Sequence, residues 1–169
     1  MKFLPKSIVL IITILFFLGI NQSTGQSLLL VNNFKFLSNI SKEHNLRSDI
    51  LSFAHDYIGT PYVSSGTTPK GFDCSGFVRF VFQQYGYELA HSSRALATTG
   101  ESVARKDAKP GDLVIFAYRG RIHHVGIVLS NNDGNIDMIH CSTSQGVVIE
   151  NINSDDYWNK RFYSVRRVL

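Results

Sequence analysis

The sequence predicts an α+β fold: N-terminal helices followed by an antiparallel sheet of about five strands. Two observations carry this. Up to Gly100, apolar residues recur every three or four positions between capping residues and glycines, which is the period of helices. After Pro110–Gly111 they alternate, or run in short blocks broken by Gly, Asn and Asp, which is the signature of strands joined by tight turns. Helices first and consecutive strands afterwards give a segregated fold with antiparallel pairing. The size agrees with this reading. The chain has 169 residues, 44% hydrophobic and 18% charged, enough for one domain with a real core. That composition excludes wholesale disorder, collagen and a multi-span membrane protein. Two cysteines are too few for a disulfide scaffold.

The elements follow in order. Lys2 and Lys6 precede an uncharged run from Ser7 to Ile20, and small polar residues lead on to Gln26. This is the pattern of a secretory signal peptide over residues 1–25, with Ser23 and Gly25 at the −3 and −1 positions of the cleavage site. The run is shorter than the ~20 residues of a membrane span, so no stable membrane insertion is expected once it is removed; an uncleaved anchor is the competing reading. The product is then exported, either periplasmic or extracellular. Removing residues 1–25 takes away Lys2 and Lys6 and no acid, so the net charge falls from +4 to +2 over the remaining 144 residues. The basic balance belongs largely to the export signal, and nucleic acid is not an expected partner. Lys160–Arg161 and Arg166–Arg167 remain as a basic cluster able to meet an anionic polymer.

Residues 26–46 show no clear period and are expected to be a leader segment before a domain over 47–169. Ile50, Leu51, Phe53, Ala54, Tyr57 and Ile58 predict a helix capped by Ser48 or Asp49 and ended by Gly59. A Ser-, Thr-, Gly- and Pro-rich loop runs from Thr60 to Gly71. Phe77, Val78, Phe80, Val81, Phe82 and Tyr85 predict a buried helix over 73–85, with Asp73 as N-cap and Gly86 as C-cap. A short helix is expected near 92–98. Strands are expected over 112–118, 124–130, 136–141, 147–151 and 162–168. There is no internal repeat and nothing marks an oligomer interface, so a monomer is expected.

Chemistry centres on Asp73-Cys74-Ser75-Gly76. A cysteine in the first turn of a helix lies at the positive end of the dipole, which favours the thiolate and is expected to lower its pKa. Such a thiol is a nucleophile; the competing reading is a small buried hydrophobe. His123 and His124 open one strand and point to opposite faces. His140 lies on the next strand, joined by the Asn131–Gly134 turn, so His124 and His140 can meet across the pair. Cys74, His124 and His140 would then be nucleophile, base and orienting group. Cys74, His124, His140 and Cys141 are also zinc-ligand types, but no CxxC or HExxH spacing is present, and no metal or other cofactor is expected. Cys141 alternates with His140 and is expected to face away from the site as a buried free thiol.

Gly59-Thr60-Pro61-Tyr62, Gly71-Phe72-Asp73-Cys74-Ser75-Gly76-Phe77, Pro110-Gly111-Asp112-Leu113-Val114-Ile115-Phe116, His124-Val125-Gly126-Ile127 and Met138-Ile139-His140 occur in that order. Together they resemble the NlpC family of bacterial cell-wall cysteine peptidases, which have a papain-like core, and the match spans residue 48 to the last strand. The resemblance implies Cys74 as nucleophile, His124 as general base and His140 as the group orienting it. It places Tyr62 beside the thiol, near the oxyanion and the substrate. It implies that Asp73 and Ser75 hold a substrate amine, against the plain reading that they cap the helix. It implies a peptidoglycan or muropeptide substrate, cut between D-isoglutamate and meso-diaminopimelate or lysine. The run Val63-Ser64-Ser65-Gly66 and the Arg94-Ala95-Leu96 that follows Ser93 depart from the family pattern at the cleft wall, where they bear on substrate preference. Another amidase or acyltransferase on the same core, or a non-catalytic wall-binding module, are the alternatives.

Overall fold

A computed structural model describes residues 24–169. The signal peptide expected over 1–25 lies outside the described residues, save Thr24 and Gly25. Among the described residues no helix is long and apolar enough to cross a membrane. The described residues divide into two compact units, one ending at Ser41 and the other spanning Lys42–Leu169. Helix α1 (Thr24–His55) contributes to both. In the first unit it exposes Val31, Phe34, Phe36, Leu37 and Ile40.

Continuity of α1 corrects the helix start expected at Ser48 or Asp49, and it makes the expected leader helical. After Gly25 no glycine or proline interrupts the chain before Gly59, and interior Ser, Asn and Asp cost a helix too little to end it. In the second unit the last turns of α1 bury Arg47, Ile50 and Ala54. A small hairpin follows, β1 (Thr67–Thr68) with β2 (Gly71–Phe72), and leads into α2 (Cys74–Gln83) and a short α3 (Ser93–Leu96). The remaining elements are β3 (Glu101–Val103), β4 (Leu113–Tyr118), β5 (Arg121–Asn132), β6 (Asn135–Ser142), β7 (Gly146–Asn151), α4 (Asp156–Asn159) and β8 (Phe162–Arg167).

The strands from β3 on form one sheet of six in the order β3-β8-β4-β5-β6-β7, every neighbouring pair antiparallel. This is one strand more than the sequence predicts. β3 is three residues long and largely exposed, so it carries no alternation to read. β8 enters between β3 and β4, a non-local pairing no turn signal announces.

Both faces of the sheet are covered. Leu113, Ile115, Val125, Ile127, Ile139 and Cys141 pack with Phe77, Val78, Val81 and Phe82 of α2. Val114, Phe116, Val128, Met138 and Val165 pack with Ile152 and Trp158 on the other face. Each fully buried side chain of this size contributes about 1.5–3 kcal/mol, so α2 is held firmly with its N-terminus against β5. Asp112 is fully buried and ties three segments together. It takes Arg47 Nη1 at 3.1 Å, Arg167 Nη2 at 2.8 Å and the Lys109 N–H at 2.9 Å.

Candidate active site

Asp73 caps α2. Its Oδ1 accepts from the Gly76 N–H at 2.6 Å and from Ser75 Oγ at 3.1 Å. Cys74 is therefore the first helical residue, as the sequence predicts. Gly76 is required by close approach, because a Cβ there would collide with the Gly66 carbonyl. The β5–β6 register runs from Asn132–Asn135 to Ile127–Ile139 and stops there, although β6 stays paired with β7 as far as Ser142–Gly146. At this parting the Val125 N–H, with the N–H groups of Ser75 and Cys74, comes near enough to the Cys74 sulfur to favour the thiolate. The thiol thus lies one residue along the backbone from His124.

These donors favour the thiolate, yet the Cys74 pKa is raised. Burial raises it most and the Asp73 carboxylate raises it further, and together they outweigh the three N–H groups. This corrects the expectation of a lowered pKa: the helix dipole is real, but it acts on a thiol that is partly shielded from water and beside an anion.

His124 and His140 are both buried, at 7% and 0% exposure. His124 Nε2 and His140 Nδ1 are 2.8 Å apart, and His140 Nε2 lies 2.7 Å from Glu150 Oε2. The Trp158 indole also donates to Glu150 Oε2, at 2.7 Å. The direction of each bond follows from chemistry. Hydrogen bonds from His140 and Trp158 hold the Glu150 carboxyl below its ordinary pKa, so it is ionised and only accepts. His140 Nε2 must then carry a proton and donate it. In the tautomer that donates from Nε2 and accepts at Nδ1, His140 takes the proton of His124 Nε2, which leaves His124 Nδ1 unprotonated. Burial, with the neighbouring His140 and His123, pushes the His124 pKa well below its ordinary value. The resting pair is therefore a neutral thiol and a neutral imidazole with a free acceptor nitrogen.

Gly126 makes this geometry possible. A Cβ there would lie 3.1 Å from Met138 Sδ and 3.2 Å from His140 Cβ. The bare glycine on β5 leaves room for His140 to reach His124. Trp158 closes the other side, with ring centroids 4.8 Å from His124 and 4.9 Å from His140.

Tyr62 bridges to Phe72, and its phenol pKa is raised by burial and then by the nearby Cys74 and Asp73 charges, which puts it in the electrostatic reach of the thiol. Asp73 is more occupied than the sequence suggested. Its Oδ2 meets His91 Nε2 at 2.8 Å, so both oxygens are engaged within the chain. Ser75, almost fully buried, spends its hydroxyl on Asp73. Cys141 also differs from expectation. It does lie on the face opposite His140, but that face carries α2, so it points toward the nucleophile helix. Its Sγ donates to the Phe72 carbonyl at 3.1 Å, and burial followed by the Cys74 and Asp73 charges pushes its pKa up to about 12. Both cysteines are free.

Sequence reasoning missed three residues. Glu150 was within reach of it, since Glu150 pairs with Met138 and so shares a face with His140. Trp158 stands in a four-residue helix with no period to read, and His91 lies in a loop outside any periodic segment. Among the described residues no group of three or more His, Cys, Asp or Glu is placed to hold a metal ion. Beside His124 opens a cavity of about 470 Å³, walled by His123, the 142–145 turn, Glu150, Asp155, Tyr157 and Trp158.

The family model of the NlpC/P60 family matches residues 59–167. Among curated relatives, the "Murein DD-endopeptidase MepS/Murein LD-carboxypeptidase" of Escherichia coli K12 is 40% identical over 132 residues, covering 78% of this chain and 68% of the relative. The "Gamma-D-glutamyl-L-lysine dipeptidyl-peptidase" of Bacillus subtilis 168 is 34% identical over 132 residues, covering 76% and 43%. Among solved structures, the NlpC/p60 domain of the peptidoglycan hydrolase SagA superposes with a TM-score of 0.62 at 29% identity, covering 72% of this chain and 97% of that one. A thiol at a helix start, two bonded histidines on neighbouring strands and a matched stretch covering more than half of the chain agree: the chain belongs to the NlpC/P60 family of cysteine peptidases.

Proposed function

We propose that this chain is an exported cysteine peptidase that hydrolyses peptidoglycan stem peptides at the bond between D-isoglutamate and the following diamino acid. The carrying observation is the line of hydrogen bonds Trp158–Glu150–His140–His124, which ends one residue before Val125, whose N–H favours the Cys74 thiolate. Residues 47–169 form the catalytic domain, and it acts as a monomer. His124 Nδ1 takes the thiol proton as sulfur attacks the carbonyl carbon. The N–H groups at the start of α2 and the Tyr62 phenol stabilise the oxyanion, each donor contributing about 3 kcal/mol. His124 then gives its proton to the departing nitrogen, leaving a thioester on Cys74. Water, deprotonated by His124, hydrolyses that thioester and restores the thiol. Positioned proton transfer of this kind contributes about 10²–10⁴-fold. The names of the relatives support peptidoglycan as substrate, and the B. subtilis name supports the bond.

The E. coli relative's name favours a second reading, cleavage of a D,D cross-link or of an L,D-terminal residue. It is consistent with an Asp73 whose two oxygens both already have partners within the chain, so that a substrate amine would have to share them. Defined muropeptides incubated with wild type and with Cys74→Ala, and resolved by mass spectrometry, separate the bonds by product mass. Equal turnover by the two proteins would remove the mechanism.

A further inference from the structure

The basic run Lys160–Arg161 with Arg166–Arg167 is largely taken apart by the fold. Arg166 donates to the carbonyls of Thr99 and Gly100, Arg167 to the carboxylate of Asp112, and Lys160 to that of Asp156. Arg161 is left, and the β4–β5 hairpin adds two more guanidinium groups to it. Tyr118 is their common centre. The guanidinium carbon of Arg119 lies 5.2 Å from its ring and that of Arg161 4.7 Å. Arg121 is the partner of Tyr118 across the hairpin, and the Cβ atoms of such partners are about 5 Å apart.

The three charges are held but not neutralised. Among the described residues no carboxylate is in ion-pair contact with Arg119, Arg121 or Arg161. Arg161 also lies 3.7 Å above the Tyr157 ring and donates from Nη1 to the Tyr157 carbonyl at 2.9 Å. Stacking on aromatic faces fixes a guanidinium without spending its charge. The hairpin tip is a tight turn with positive φ at both Arg119 and Gly120. Arginine in that conformation carries a backbone cost that Asn or Gly would avoid. Arg119 and Arg121 are exposed. The nearest acids of α4 are occupied: Asp156 takes Lys160, and Asp155 caps the helix through the Tyr157 N–H. The patch adjoins the cleft, since the charge of Arg161 reaches His123, which lines the cavity beside His124 together with Tyr157.

These features select a partner. The aromatic faces are engaged by the arginines, so the surface presents guanidinium N–H groups rather than a seat for apolar side chains or acyl tails. A guanidinium fork matches the paired oxygens of a phosphate. Three forks spread over a hairpin tip and a helix end suit an extended chain with repeated charges; a small anion needs donors that converge in a pocket. We propose that Arg119, Arg121 and Arg161 form an anchoring surface for an extended polymer of the cell envelope that carries a phosphodiester in each repeat. Held there, the polymer keeps the wall beside Cys74. Binding at this surface does not depend on which bond the site cuts, and so goes beyond the proposed reaction.

The test titrates the protein into end-labelled poly(glycerol phosphate) and reads fluorescence polarisation. Saturable binding is expected, with a slope of log K against log salt of about −2, three contacts at about 0.7 each. That slope is about a 16-fold loss of affinity between about 50 and 200 mM salt. Arg119→Gln with Arg121→Gln is expected to reduce the slope to about −0.7 without a change in melting temperature, and adding Arg161→Gln to remove it. Lys70→Gln with Lys106→Gln takes the same charge from exposed positions outside the patch and is expected to leave the slope unchanged. Cys74→Ala, which cannot cleave, is expected to bind as the wild type does, so binding and catalysis are scored apart. A wild-type slope near zero, equal losses from the arginine and lysine pairs, or tighter binding of poly-L-glutamate or phosphatidylglycerol vesicles than of the phosphodiester chain overturns the proposal.

Discussion

Replacing Glu150 by glutamine tests the proton wiring most directly. The carboxylate accepts from His140 Nε2 and Trp158 Nε1 through the same oxygen, each at 2.7 Å. Glutamine keeps the shape and removes the charge. A hydrogen bond to a charged group contributes about 1.5–3 kcal/mol. At 1.36 kcal/mol per factor of ten, its loss lowers kcat/KM by about 10- to 150-fold. If the amide turns its NH2 to His140, the tautomers of both histidines invert and His124 presents a proton to the thiol instead of a lone pair; a wrong tautomer of this kind has cost about 10⁴-fold in a serine peptidase triad. The assay is kcat/KM on a defined muropeptide across pH, with thermal melting to show that the variant is folded and iodoacetamide alkylation of Cys74 to show that the thiol is still reached. The reasoning is refuted if Glu150→Gln stays within threefold of wild type with an unchanged acid limb.

Gly126→Ala is expected to push on Met138 and His140 at contacts of 3.1 and 3.2 Å, at a cost of about 1–3 kcal/mol in melting experiments and with a fall in kcat larger than any change in KM. Asp112→Ala leaves Arg47 and Arg167 facing each other without their shared carboxylate, and breaking such a buried pair lowers stability by about 3–5 kcal/mol, measured by urea unfolding. pH acts on stability from both sides. His124 is held neutral, so the unfolded chain binds a proton that the folded chain refuses; this stability is present above pH ~6.5 and is lost as pH falls through 6.5 toward the lowered folded value. Cys74 and Cys141 are raised, so the folded chain keeps protons the unfolded chain releases. Their contribution is present below pH ~9 and is lost as pH rises above it, over a range reaching about 12 for Cys141. Melting temperature against pH should therefore show a plateau between these limits, and a curve that climbs below pH 6 would contradict the His124 assignment.

What could be read in the sequence was local. Asp73 before an apolar helix, the left-handed Asp133–Gly134 turn between β5 and β6, and the opposite facing of successive strand residues determined the nucleophile helix, the hairpin and the meeting of His124 with His140. Each depends on interactions within a few residues or on one pairing set by one turn. Tertiary structure decided the rest, because it depends on which face meets which element. Parity alone put Cys141 away from His140, but only the packing of α2 showed which face the nucleophile occupies. The dipole at a helix start predicted a lowered thiol pKa, and burial beside Asp73 reversed it, since desolvation is a property of the surrounding fold. Glu150, Trp158 and His91 reach the site from the neighbouring strand, a one-turn helix and a loop. No periodicity points to side chains brought in that way. They are found only when the chain has closed around the histidines and excluded the water that would otherwise satisfy them.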